Sequence, residues 1–210
     1  MGKVIAVVQQ KGGSGKTTLA VNLAVAYARR GQIVALLDTD PQGSLGRWFM
    51  ARRERLGDAG MDFTTSSAWG VSYECEKLRK VADVILIDTP PKVDADLRPA
   101  LREADLVLVP VASSHVDLWA TEGVLDLARR EGKPATVVLN RMRAGTRLSE
   151  DVAAAAAALD ASLAETRIAN RNAYAETLGQ GLGIADVQRR GAAADEIAAL
   201  ADEVARLAEG

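Results

Sequence analysis

Cysteine is almost missing from this chain: Cys75 is the lone one in 210 residues. That excludes an internal disulfide framework and fits a reducing compartment. No run approaches the 18 or so apolar residues that a membrane-spanning helix needs, and the opening MGKVIAVVQQ is too short for the apolar core of a signal peptide. The expected location is therefore cytoplasmic. A basic excess is lacking too, with 26 Lys and Arg against 28 Asp and Glu, a formal charge of −2. Any nucleic-acid partner must accordingly be met by a local patch. Aromatics make up 4% of the residues, the tryptophans being Trp48, Trp69 and Trp119. They are expected in the core or at an interface rather than as base-stacking platforms. Linkers rich in Pro, Gly and Ser are absent, as are repeats at solenoid periods, so residues 1–210 are expected to form one domain.

What is present is a series of short, nearly continuous Val, Ile and Leu runs: KVIAVVQ (3–9), IVALLDTD (33–40), VADVILIDTPP (81–91), ADLVLVPVASS (104–114) and PATVVLNRM (134–142). Strands with no polar alternation are buried on both faces, as in a parallel sheet covered by helices. Between them, segments such as 15–31 and 114–132 place apolar residues at helical spacing and end on glycine. The alternation predicts an α/β fold, a doubly wound, mostly parallel sheet with helices on both faces. From about residue 150 onward the expectation is helix throughout. The alanine-rich 150–162 reads as a helix face, and 190–210 reads as amphipathic.

Three motifs fall where such a sheet places chemistry, at strand carboxyl ends. The first is QQKGGSGKTT, residues 9–18. It follows the phosphate-loop pattern except that Gln10 occupies the first glycine position and Lys11 is an added cation. Gly12, Gly13 and Gly15, with Ser14 between, allow backbone N–H groups to converge on a polyphosphate at a helix N-terminus. Lys16 is the candidate for the terminal phosphates, the Thr17 hydroxyl for Mg²⁺, and Thr18 completes the loop. A glycine-rich turn can also be merely structural.

DTDPQGS (38–44) puts Asp38 and Asp40 two residues apart at a strand end, either as a charged pair in the site or as a turn that caps the next helix. VILIDTPP ends a buried strand on Asp88, the arrangement that holds Mg²⁺ beside a phosphate loop.

Taken together, QKGGSGKTT, DTDPQ and VILIDTPP resemble the deviant Walker A, switch I and Walker B motifs of the ParA/MinD superfamily of ATPases. The likeness runs through the C-terminal region RNAYAETLGQGLGIADVQRRGAAADEIAALADEVARL. The resemblance implies a P-loop fold that binds ATP and Mg²⁺ and forms a homodimer on ATP binding. It also implies that Lys11 is the signature lysine, reaching the phosphates held by a partner subunit. Asp40 is then expected to position the attacking water and, with Thr17, Asp38 and Asp88, to belong to the metal site, Asp38 lying nearer the magnesium shell. Thr89, not a glutamate base, follows Asp88, so slow turnover is expected. Asn140 and Arg141 are the candidates for adenine, with Asn140 equally readable as a loop cap.

The absences select a branch. A lone cysteine disfavours the cluster-bridging relatives, and DEIAALADEVARLAEG carries five acids against one Arg, unlike a basic membrane-binding helix. The chain looks most like the short ParA type. That implies non-specific DNA binding by the ATP dimer, nucleoid association in that state, and a small adaptor or cargo protein. Arg143, Arg147 and Arg171 are the candidate DNA contacts, chosen by region. The competing expectation is a metabolic or metal-insertion ATPase or ligase with the same loop.

Overall fold

A computed structural model describes residues 1–91 and 97–209. The chain runs β1 (Lys3–Val7), α1 (Lys16–Arg29), β2 (Val34–Asp38), α2 (Ser44–Leu56), β3 (Asp62–Thr65), α3 (Val71–Leu78), β4 (Val84–Asp88), α4 (Arg98–Glu103), β5 (Leu106–Val111), α5 (His115–Arg130), β6 (Ala135–Leu139), α6 (Arg147–Ala157), β7 (Ser162–Leu163), α7 (Asn172–Gly179), α8 (Ile184–Val187) and α9 (Ala192–Glu209). One seven-stranded sheet has the order β3-β2-β4-β1-β5-β6-β7, and its pairings are parallel.

Each of the five apolar runs is a strand of this sheet, because a strand covered on both faces has no side on which polar residues belong. Alternate residues feed two cores. Val4, Ala6, Ile85, Ile87, Val107 and Val109 pack under α3, α4, α5 and α6. Ile5, Val7, Leu36, Leu86 and Leu108 pack under α1, α2, α7, α8 and α9. In α9, Ile197, Leu200, Ala201, Val204 and Ala208 are buried at the three- and four-residue spacing of an amphipathic helix. Residue 210, the end of the expected final helix, lies outside the described residues.

Two expectations need correction. The C-terminal third is not all helix, since Ser162–Leu163 pairs with β6 as the edge strand β7. The alanine-rich helix stops at Ala157, short of that strand. Of the tryptophans, expected in the core or at an interface, Trp48 is core, 3% exposed, while Trp69 and Trp119 are 89% and 68% exposed and keep only the interface alternative. Polar DFTT at the other edge, β3, likewise carries no apolar run to announce it.

The register positions the chemistry. Asp88 pairs with Val7 on one side and Asp38 on the other. Both carboxylates therefore end their strands level with the point where β1 turns into the glycine-rich loop.

Candidate nucleotide site

The loop between β1 and α1 depends on glycine where its path is left-handed. Gly15, at φ 93°, is the N-cap of α1. A Cβ there would come within 2.5 Å of Asn140 Nδ2, so both backbone and space demand glycine. Gln10, in place of the usual first glycine, is accommodated from the other side. Its amide lies where a Cβ on Gly123 of α5 would fall, 2.4 Å away.

Lys16 is buried, and its Nζ donates to the Gln9 carbonyl at 3.1 Å. Burial lowers its pKa, and the charges of Asp88 and Asp40 work against that shift. The Thr17 hydroxyl donates to Asp88 Oδ2 at 2.6 Å. Burial pushes Asp88 up to about 7, against the Thr17 hydrogen bond that favours its charged form. Its other oxygen, Oδ1, is buried without a partner, as is Ser14 Oγ. An orphaned carboxylate oxygen beside a threonine hydroxyl fits the oxygen ligands of Mg²⁺. No cluster of three or more His, Cys, Asp or Glu suited to a metal is found among the described residues.

Asp38 is occupied otherwise. Its Oδ1 accepts from Asp40 N and its Oδ2 from Gly46 N, both at 3.0 Å, so it ties the switch turn to the start of α2. Burial raises its pKa and those N–H groups oppose the rise. With each oxygen accepting one backbone hydrogen bond, its geometry is that of a loop anchor, the helix-capping alternative. Asp40 is partly exposed, accepts from Gln42 N at 2.9 Å and faces the loop. Thr89 is no base; its hydroxyl donates to the Val7 carbonyl at 2.8 Å.

Two cavities meet here. A smaller one of about 270 Å³ is lined by Gly12, Gly13, Lys16, Thr17 and Asp40. A larger one of about 560 Å³ lies between α2, the end of β6 and the segment leading into α7. They share Thr18, Ser44, Arg141 and Leu178, so a phosphate chain in the first can continue into a base in the second.

Asn140 lines the larger cavity, but its Nδ2 donates to the Ser14 carbonyl at 2.8 Å and its Oδ1 accepts from Arg141 N at 3.0 Å. It braces the phosphate loop, which is the loop-capping alternative, and keeps one N–H hydrogen for a ligand. Arg141, the one non-glycine residue with positive φ (54°) among those described, is exposed at the seam of both cavities. The sequence reading missed the wall of the larger cavity: Trp48, Asn170, Asn172 and Tyr174. Trp48 and Asn170 belong to no quoted motif, Asn172 and Tyr174 open the C-terminal region that resembles the family, and the four meet only through folding.

The candidate DNA arginines are not brought together in kind. Arg143 and Arg147 are exposed at the entry to α6, Arg147 with a loose 3.8 Å pairing to Asp151. Arg171 instead lines the larger cavity and holds Glu196 at 2.6 Å, so its guanidinium already has an acidic partner. Lys11 lines neither cavity; it pairs with Asp117 of α5.

The sequence matches the CobQ/CobB/MinD/ParA nucleotide binding domain over residues 5–184. The chain belongs to this family. It is 29% identical over 207 residues, 95% of each chain, to maintenance of carboxysome distribution protein A of Halothiobacillus neapolitanus. With the chromosome partitioning protein ParA of Caulobacter vibrioides it shares 32% identity over 60% of this chain and 61% of that one. The septum site-determining protein MinD of Pyrococcus horikoshii, solved with Mg-ADP, superposes with a TM-score of 0.83 at 22% identity, over 99% of this chain and 98% of that one. The seven-stranded sheet is thus the ParA/MinD P-loop fold. Among the described residues no helix is long and apolar enough to cross a membrane.

Proposed function

We propose that this ParA/MinD family member is a slow, dimerising ATPase that positions a cargo. Mg-ATP bound in the paired cavities joins two copies, the ATP dimer holds DNA without sequence preference, and a small adaptor protein triggers hydrolysis. The carrying observation is the different placement of the two loop lysines. Lys16 is buried among Asp88, Asp40 and the loop carbonyls, whereas Lys11 lies outside both cavities on the flank of α5. A cation outside its own site is suited to another copy's phosphates, and charge developing during phosphoryl transfer needs such groups. Thr17 and Asp88 would hold Mg²⁺, which would supply positive charge against the phosphates. Asp40 would orient the water, Lys16 would hold the terminal phosphates, and Asn140 would keep the loop in shape.

The cargo is drawn from the named relatives, whose names concern carboxysome distribution and chromosome partitioning. Light scattering tests the central step. With Mg²⁺ and a non-hydrolysable ATP analogue the mass doubles, and with ADP it does not. A mass that stays monomeric at high protein concentration overturns the reading. Phosphorylation or ligation of a small metabolite would transfer it to the metabolic class.

A further inference from the structure

The ion pair that holds Lys11 is unequal. The lysine side chain is 40% exposed, but that of Asp117 is 3% exposed. Asp117 Oδ2 accepts from Ala112 N at 3.2 Å, while Oδ1 is buried with no hydrogen bond and faces the Lys11 ammonium. The surrounding bonds bring the loop and helix together. Gln9 Nε2 donates to Thr121 Oγ1 at 3.0 Å and to the Pro110 carbonyl at 3.2 Å. Thr121 in turn donates to the Asp117 carbonyl at 2.8 Å, and Gln9 Oε1 accepts from Gln10 N at 2.8 Å. The start of the phosphate loop is thereby fastened to the first turns of α5, with Lys11 laid over Asp117.

We infer that Asp117 is the positioning residue of Lys11, retaining the lysine on its own protomer until a second, ATP-loaded copy offers phosphate in exchange. This rests on the proposed role of Lys11 across a dimer. A triphosphate carries more charge than one carboxylate and outcompetes it for an ammonium. After release, Asp117 keeps the Ala112 N–H and the N-terminal end of the α5 dipole, which tolerate a carboxylate there. The holder can therefore let go. While it holds, molecules with Lys11 free are a minority, and apparent dimer affinity falls by the square of their fraction, one factor for each protomer.

Asp117→Asn tests this, since the amide oxygen can still accept from Ala112 N–H but the charge is gone. In the nucleotide-free protein, acetylation of Lys11 by an N-hydroxysuccinimide ester, followed by mass spectrometry against the exposed Lys77, is expected to speed up several-fold. With Mg²⁺ and a non-hydrolysable ATP analogue, the dimer Kd is expected to fall about tenfold, the change given when a lysine that is about 30% free in each protomer of the parent is freed in both. Asp117→Glu should return Lys11 labelling toward the parent rate. In a Lys11→Ala background, Asp117→Asn should leave the Kd unchanged, which separates a hold on Lys11 from a general effect on α5. Unchanged Lys11 labelling, or a dimer no tighter than the parent's, overturns the inference. A parent that never dimerises with the ATP analogue, whatever the labelling shows, overturns instead the dimer reading on which it rests.

Discussion

Asp88 shows how burial alone can bias a single carboxyl group. Its pKa of about 7, against 3.8 for the ordinary residue, arises mainly from burial. Between about pH 4 and 7 the unfolded chain ionises this carboxyl while the folded one keeps its proton. Ligand-free stability therefore falls as pH rises through that window and levels off above it. Asp88→Asn removes the burdened charge and leaves an amide oxygen for the Thr17 hydroxyl. At pH 8 the ligand-free variant should be more stable than the parent by on the order of a few kcal/mol, and at pH 4.5 the gain should vanish. Urea denaturation at the two pH values measures this. The same variant should lose the Mg²⁺-dependent part of ATP affinity, read by calorimetry with and without the metal.

Two neighbouring residues should fail in different ways. Lys16→Ala removes the cation from the phosphate cavity and should abolish ATP binding. Asp40→Ala should bind ATP normally but hydrolyse it about 10²-fold more slowly, the usual scale for misplacing a reacting group. Equal loss of binding in both would show that Asp40 does not act on the water.

At the scale of elements, α1, α2 and α8 are tied by one carboxylate. Asp186 accepts from Arg29 at 2.8 Å, from Arg52 at 2.6 Å and from Gly183 N at 3.0 Å, and the Arg52 and Asp186 side chains are 6% and 3% exposed. Burial alone would raise its pKa, but the Arg52, Gly183 and Arg29 hydrogen bonds outweigh it and the net shift is down. Its stabilisation is thus present above about pH 4 and is lost as pH falls through the depressed folded value. Asp186→Ala leaves Arg52 buried and unpaired, and should cost about 3–5 kcal/mol at pH 7. Thermal unfolding should show the deficit shrinking toward pH 2. The arginines and aspartate concerned are far apart in sequence, and no motif announces them. The strands that were legible, β1, β2, β4, β5 and β6, are those buried on both faces. Edge strands β3 and β7 are short and polar, so their assignment rests on pairing partners rather than composition.

For the whole molecule, the expected behaviour is a timed switch. With Thr89 bonded to Val7 and Lys11 held outside its own site, the isolated protein should turn over well below the enzyme median of about 10 per second. DNA and a cognate adaptor should accelerate it. Fast phosphate release by the protein alone, indifferent to both, would contradict a timer. DNA binding by the ATP dimer should weaken steeply with salt, and Arg143→Glu with Arg147→Glu should weaken it alike for every sequence tested. Arg171→Glu should instead disturb the fold or nucleotide binding, because it sets a second acid against Glu196 beside the larger cavity. If Arg171→Glu alone removes DNA binding and spares ATP binding, the patch has been misplaced.

Sequence by itself determined the layered α/β class, the phosphate loop, and the identities of Lys11, Lys16, Thr17 and Asp88, because apolar run length and loop chemistry are local properties. The tertiary structure decided how those residues are used. Strand register set Asp38 and Asp88 level beside β1, backbone N–H groups then claimed Asp38, and Glu196 claimed Arg171. The larger cavity and the Asp117 contact to Lys11 likewise join segments more than 100 residues apart in sequence. Such pairings depend on which elements the sheet order brings together, and no local pattern encodes a neighbour across the sheet.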